Sequence, residues 1–160
     1  MALSDGEIIV NNQNILDKEI ELIQACINRM AQNSFMIKGW TISLVAVVLA
    51  LLPETVDFRF LSAICIISTI CFWFLDAFYL KTEKLYRKKY EWVIAKRIET
   101  LEFSYDLNPY NSGMWLPEKN GTVKSAPCIV RVMFTKTLTP IYCPLLALSI
   151  IYFIFNLWAV

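Results

Sequence analysis

The chain has 160 residues, 57% of them hydrophobic, and a net charge of +1 at pH 7. A soluble domain is about 45–50% apolar; the excess here gathers in three charge-free runs, 39–53, 60–75 and 138–160, the pattern of a small membrane protein. The absence of histidine excludes Ser-His-Asp and Cys-His catalysis and His-ligated metals, and the near-neutral balance singles out no class of partner.

The N-terminal stretch carries Asp5 and Glu7 but no cation through Val10, so it does not read as a cleavable leader. A helix is predicted to start near Asn14, a good N-cap, with Asp17 three residues on. Leu16, Ile20, Ile23, Ile27 and Met30 then follow at spacings of 4, 3, 4 and 3. Such a stripe buries against the basic helix of the same chain, a second copy or a partner. Residues 1–34 are therefore read as a cytoplasmic amphipathic helix.

Residues 35–80 are read as a transmembrane hairpin. The run 39–53 is short for a span and is extended by Phe35, Met36 and Ile37, which brings Lys38 to the interface, where its stem can snorkel. Trp40 suits the aromatic belt. Gly39, Ser43, Ala46 and Ala50 form a small-residue stripe that lets helices approach, against the second span or another copy. After the connection 54–59 comes FLSAICIISTICFWFL, sixteen residues without charge, and then Asp76. The absence of Pro and Gly from Phe60 to Arg97 predicts one helix, half in lipid and half in water. Ser62, Cys65, Thr69, Phe72 and Asp76 share a face. They are candidates for packing between helices or for lining a cation-conducting path in an oligomer. A carboxylate at the edge of lipid needs a partner. The hairpin points to a Lys38–Asp76 ion pair, with Lys81, Arg87 or hydration as rivals.

Residues 81–137 are read as a cytoplasmic basic arm and insert. Tyr86, Tyr90, Val93, Ile94, Ile98 and Leu101 continue one helical side. Lys81, Lys84, Arg87, Lys88 and Lys89 are candidates for lipid headgroups. Nucleic-acid binding has no accompanying fold signature. The stretch 103–127, punctuated by Pro109, Gly113, Pro117, Gly121 and Pro127, is expected to be irregular and partly docked through Tyr105, Tyr110, Trp115 and Leu116. CIVRVMFTK reads as a short amphipathic helix or strand. The last run, residues 138–160, has 23 uncharged residues and is read as a third span with Trp158 at the far interface. Five cysteines, Cys26, Cys65, Cys71, Cys128 and Cys143, form no C-x-x-C pair and read as reduced thiols. No nucleotide loop, nucleophile elbow or carboxylate–metal pattern is present. No cofactor, metal or catalytic group is expected.

Fourteen Lys and Arg fall in the segments this topology puts inside and one, Arg59, outside. That bias orients the chain N-terminus in and C-terminus out. The expected fold class is an all-α membrane protein with three transmembrane helices, a long cytoplasmic extension of the second and an amphipathic N-terminal helix.

SFMIKGW, FWFLDAFYLKTEKLYRKKYE and TKTLTPIYCPLLAL together resemble a group of small bacterial inner-membrane proteins, some encoded with anti-phage defence genes. The matching residues are Lys38, Gly39, Trp40, Trp73, Asp76, Tyr79, Leu80, Glu83 and Arg87. The resemblance implies a non-enzymatic membrane effector, oligomeric in the inner membrane, that perturbs membrane integrity or potential when a cytoplasmic partner or signal acts on it. The alternative is a non-conducting anchor that recruits a cytoplasmic defence enzyme.

Overall fold

The computed structural model describes residues 5–50, 58–117 and 125–158. The described residues are all-helical, without strands. Helix α1 spans Asp5–Ala50, α2 Phe58–Lys96, α3 Ile129–Met133 and α4 Thr139–Trp158; a 3-10 turn occupies Ser112–Met114. Residues 51–53 of the first apolar run, 54–57 of the connection 54–59 and the end of the chain beyond Trp158 lie outside the described residues, as do Lys119 and Lys124 of the insert.

Helix α1 is longer than its sequence signals suggest. Asn14 is an exposed mid-helix residue rather than a cap. With no proline before it, only Gly6 weakens the preceding turns, and a helix in progress extends at little cost. Helix α2 is the uninterrupted rod expected, but it stops at Lys96, so Ile98 and Leu101 leave the helical side assigned to them. By length and composition, Phe60–Lys96 is the one described stretch long and apolar enough to cross a membrane; Thr139–Ile154 is apolar but shorter.

The chain divides into two compact units, each with stretches of both α1 and α2. One comprises Met1–Ala31 and Lys81–Pro127; the other comprises Gln32–Leu80 and Cys128–Val160. Cys128–Thr137, read from the sequence as part of the polar insert, thus belongs with the apolar helices.

The first unit packs around an apolar cluster. Leu16 and Ile23 of α1 pack with Tyr86, Trp92 and Val93 of α2, and Met114 of the insert closes the cluster. Ile20, Ile27 and Met30, the rest of the N-terminal stripe, flank it. The insert is ordered by short side-chain turns. Asp106 accepts from the Asn108 amide (2.7 Å), Asn108 from the Tyr110 amide (3.1 Å) and Asn111 from the Gly113 amide (3.0 Å). In the second unit Trp73 and Ala77 of α2 pack with Val132, Leu138 and Tyr142. The Trp73 ring stacks on Tyr142 at 5.9 Å, and its indole donates to the Met133 carbonyl at 3.0 Å.

This second unit buries polar groups beside its apolar core and exposes many large apolar side chains. Ser34, Thr41, Ser62, Thr69, Asp76 and Ser149 are buried, while Phe35, Trp40, Phe60, Ile67, Phe74 and Ile151 are exposed. Such a surface is unfavourable against water and matched to an apolar surrounding.

Candidate functional site

The chemistry of the second unit converges on Asp76. Ser34 and Lys38 stand one turn apart on α1, so both side chains reach the same neighbour. On α2, Ser62, Cys65, Thr69, Trp73 and Asp76 are all buried. The fourth place on that face belongs to Trp73 rather than to Phe72, which packs beside it. At 3.6 residues per turn, 69 and 73 stay in line as well as 69 and 72 do, and the larger indole has a carbonyl to bond.

Asp76 is fully buried. Its Oδ1 accepts from the Ser34 hydroxyl and from Lys38 Nζ at 3.0 Å. Its Oδ2 accepts from Lys38 Nζ at 2.8 Å and from the Tyr142 hydroxyl of α4 at 2.9 Å. Lys38 also donates to the Ser34 hydroxyl at 2.6 Å and to the Ser34 carbonyl at 3.2 Å. The carboxylate is thus saturated by donors from two other helices, the condition under which a buried charge is tolerated. Of the rivals for Asp76, Arg87 pairs instead with Glu83 at 2.7 Å, and Lys81 lies 5.9 Å from the Tyr110 ring. The polar stripe lies inside this unit rather than along an open surface: Thr69 donates to the Cys65 carbonyl at 2.8 Å, and Ser62 and Cys65 are nearly inaccessible.

The small-residue stripe behaves differently. Gly39, Ser43, Ala46 and Ala50 are all exposed, and a Cβ added at Gly39 would meet nothing within 4 Å. Packing within the unit uses Ser34, Ile37, Thr41 and Val45. The stripe therefore does not serve the hairpin contact it could have made; larger side chains on the neighbouring face bury more area.

The first unit holds a second charged centre. Arg97 and Glu19 are buried and bonded twice, Nε to Oε2 at 2.5 Å and Nη2 to Oε1 at 3.1 Å. The guanidinium also donates to the carbonyls of Thr100, Glu102 and Phe103, and its Cζ lies 5.4 Å from the Trp92 ring centre. Glu19 accepts the Tyr105 amide as well, at 2.5 Å. This centre closes the end of α2 and bends the chain through Phe103 and Tyr105, whose φ angles are 57° and 58°. The expected headgroup residues are partly used here too. Lys89 is 1% exposed and donates to the Asn108 carbonyl at 3.1 Å, with Asp106 at 3.5 Å. Lys88 donates to the Ser125 carbonyl at 2.7 Å and stands 5.0 Å over Trp115. Lys89 is therefore a bolt for the insert and is not available to a headgroup. Lys84 is half-buried and stays on the surface of the arm.

Burial pushes the Lys89 ammonium below its ordinary value, with Asp106 opposing. Burial alone would raise Asp106, but the Asn111 amide, the Asn108 backbone amide and Lys89 outweigh it and hold that carboxyl below its usual range. An open groove of about 500 Å³ in this unit is lined by Gln24, Ile27, Asn28, Arg87, Tyr90 and Glu91.

Sequence reasoning missed Ser34, Tyr142, Glu19 and Arg97. Tyr142 sits in an uncharged run, and Arg97 looks like one more cation of a basic cluster. Among the described residues no three His, Cys, Asp or Glu side chains gather where they could hold a metal ion. Comparison with protein-family descriptions, with curated proteins and with solved structures finds no match for this chain.

Proposed function

We propose that this chain is a three-span bacterial inner-membrane protein, oligomeric, with the first unit in the cytoplasm, and that it perturbs membrane integrity or potential when a cytoplasmic partner or signal acts on that unit. The observation that supports the membrane reading is the surface of the second unit, where Phe60, Ile67, Phe74 and Ile151 are exposed while Ser62, Thr69 and Asp76 are buried. A lipid solvent makes that arrangement favourable. The outward Gly39–Ser43–Ala46–Ala50 stripe supports association between copies through close helix contact. In the resting state the Asp76 cluster holds α1, α2 and α4 closed. A trigger acts only by favouring a packing in which that cluster is rearranged.

The same closure favours a second reading. A polar face spent wholly within one chain is what a non-conducting anchor for a cytoplasmic enzyme would show. Dye-reported membrane potential separates the two. An effector held shut by Asp76 leaves cells polarised as wild type and depolarises them as Asp76→Asn. An anchor leaves the potential intact in both, and that result rejects the effector.

A further inference from the structure

Cys128–Thr137 is fastened to the apolar unit on one side only. Val132 is 1% exposed and Leu138 is fully buried, both in the cluster with Trp73 and Tyr142. The Trp73 indole holds the Met133 carbonyl, and Phe134 meets the Trp73 ring edge-on at 5.1 Å. Val130 remains 55% exposed, and Phe134, although it touches Trp73, remains 63% exposed. Beside them stand Arg131 and Lys136, both exposed. Neither cation has a partner among the described residues, in contrast to Lys88 and Lys89, which the insert engages.

The level at which this segment is held identifies what it faces. Trp73 lies two residues before the end of the charge-free stretch Phe60–Leu75, and Asp76 follows it. A bilayer crossed by that stretch has its headgroups at this level, since about sixteen helical residues cover most of the hydrocarbon thickness. Exposed apolar side chains interleaved with unpaired cations at that depth are the chemistry of an interfacial anchor.

We propose that Cys128–Thr137 is a binding site for anionic lipid, with Val130 and Phe134 entering the acyl boundary and Arg131 and Lys136 on the headgroup phosphate. The proposal rests on the reading that α2 crosses a bilayer, and two measurements keep them apart. The first is alkaline carbonate extraction of membranes from cells expressing the full chain. Release of the protein overturns the spanning reading and this site with it. The second uses the purified full chain, equilibrated with equal amounts of phosphatidylglycerol and phosphatidylcholine in mixed micelles. Bound lipid is counted by native mass spectrometry. Wild type is expected to be enriched in phosphatidylglycerol, and R131Q/K136Q to lose about fivefold of that enrichment per cation removed. Both positions are exposed and unpaired, so the variant should unfold at the wild-type temperature in phosphatidylcholine. If it does not, the cations are structural and the site is overturned. Equal enrichment in a carbonate-resistant wild type and variant also overturns it, and leaves the patch to an acidic protein partner.

Discussion

At the scale of single residues, two buried charge centres behave alike although one lies among polar loops and the other among apolar helices. Removing one member of a saturated buried pair strands the other, which costs about 3–5 kcal/mol, whereas replacing both members can be nearly neutral. Lys38→Met and Asp76→Asn are therefore each expected to lower thermal stability in detergent. The double variant should recover a coupling of about 1–3 kcal/mol relative to their sum; simple additivity would deny that the two groups depend on each other. The same reasoning applies to Arg97→Met and Glu19→Met in the first unit. Lys89 gives a pH signature. Its folded-state value is depressed below the ordinary 10.5, so at alkaline pH the unfolded chain holds a proton that the folded chain has released. Stability then rises with pH through the window between the folded value and 10.5. Tyr86, raised by burial above its ordinary 10.0, acts in the opposite sense only above that pH. Melting temperature measured up to pH 10 should climb in wild type and stay flatter in Lys89→Met. The Lys38–Asp76 proximity could be read from the chain because a hairpin brings the start of one apolar run to the end of the next. Tyr142 could not, since nothing in a uniformly apolar run fixes how α4 is rotated.

At the scale of elements, helix continuity was legible and helix ends were not. Phe58–Lys96 is one rod because no residue interrupts it, whereas its end is set by Arg97 drawing in three carbonyls from residues that follow. That turn carries strain in a place where it can be tested. Tyr105 has a φ of 58°, and its side chain is 51% exposed, so its backbone can be probed with little loss of packing. Asn tolerates the left-handed region, and β-branched residues do not. Tyr105→Asn should leave the melting temperature unchanged or raise it, and Tyr105→Val should cost about 1–2 kcal/mol. Equal effects of the two would place the cost in the ring rather than in the backbone. The insert shows the complementary lesson. Its Pro, Gly and Asn content reads as irregular, yet Asn and Asp side chains can bond backbone two residues on, and here three of them do. What distinguishes this segment from a mobile loop is Met114, fully buried in the core of the first unit.

For the whole molecule, the concentration of exposed large apolar side chains on the second unit decides how the chain meets its surroundings. The buried charges of each unit are paired, although Asn12 Oδ1 and Trp115 Nε1 in the first and Thr139 Oγ1 in the second are buried without a hydrogen-bond partner. Hydrophobic content does not orient a helix; the pairing of buried Ser62, Thr69 and Asp76 with exposed Phe60, Ile67 and Phe74 shows which side of α2 is offered outward. Cysteines already present give a direct test of the resulting topology. Cys71 is exposed on the charge-free stretch of α2, and Cys128 is exposed at the start of the segment before α3. With the N-terminus inside, a membrane-impermeant maleimide should label Cys128 in inside-out vesicles and spare it in intact spheroplasts. Cys71 should stay unlabelled in both until the protein is denatured in SDS, because lipid excludes the thiolate that the reagent needs. Rapid labelling of Cys71 in intact membranes would show that water reaches that face of α2. Labelling of Cys128 from outside the cell would reverse the orientation that fourteen inner cations against one outer cation predict.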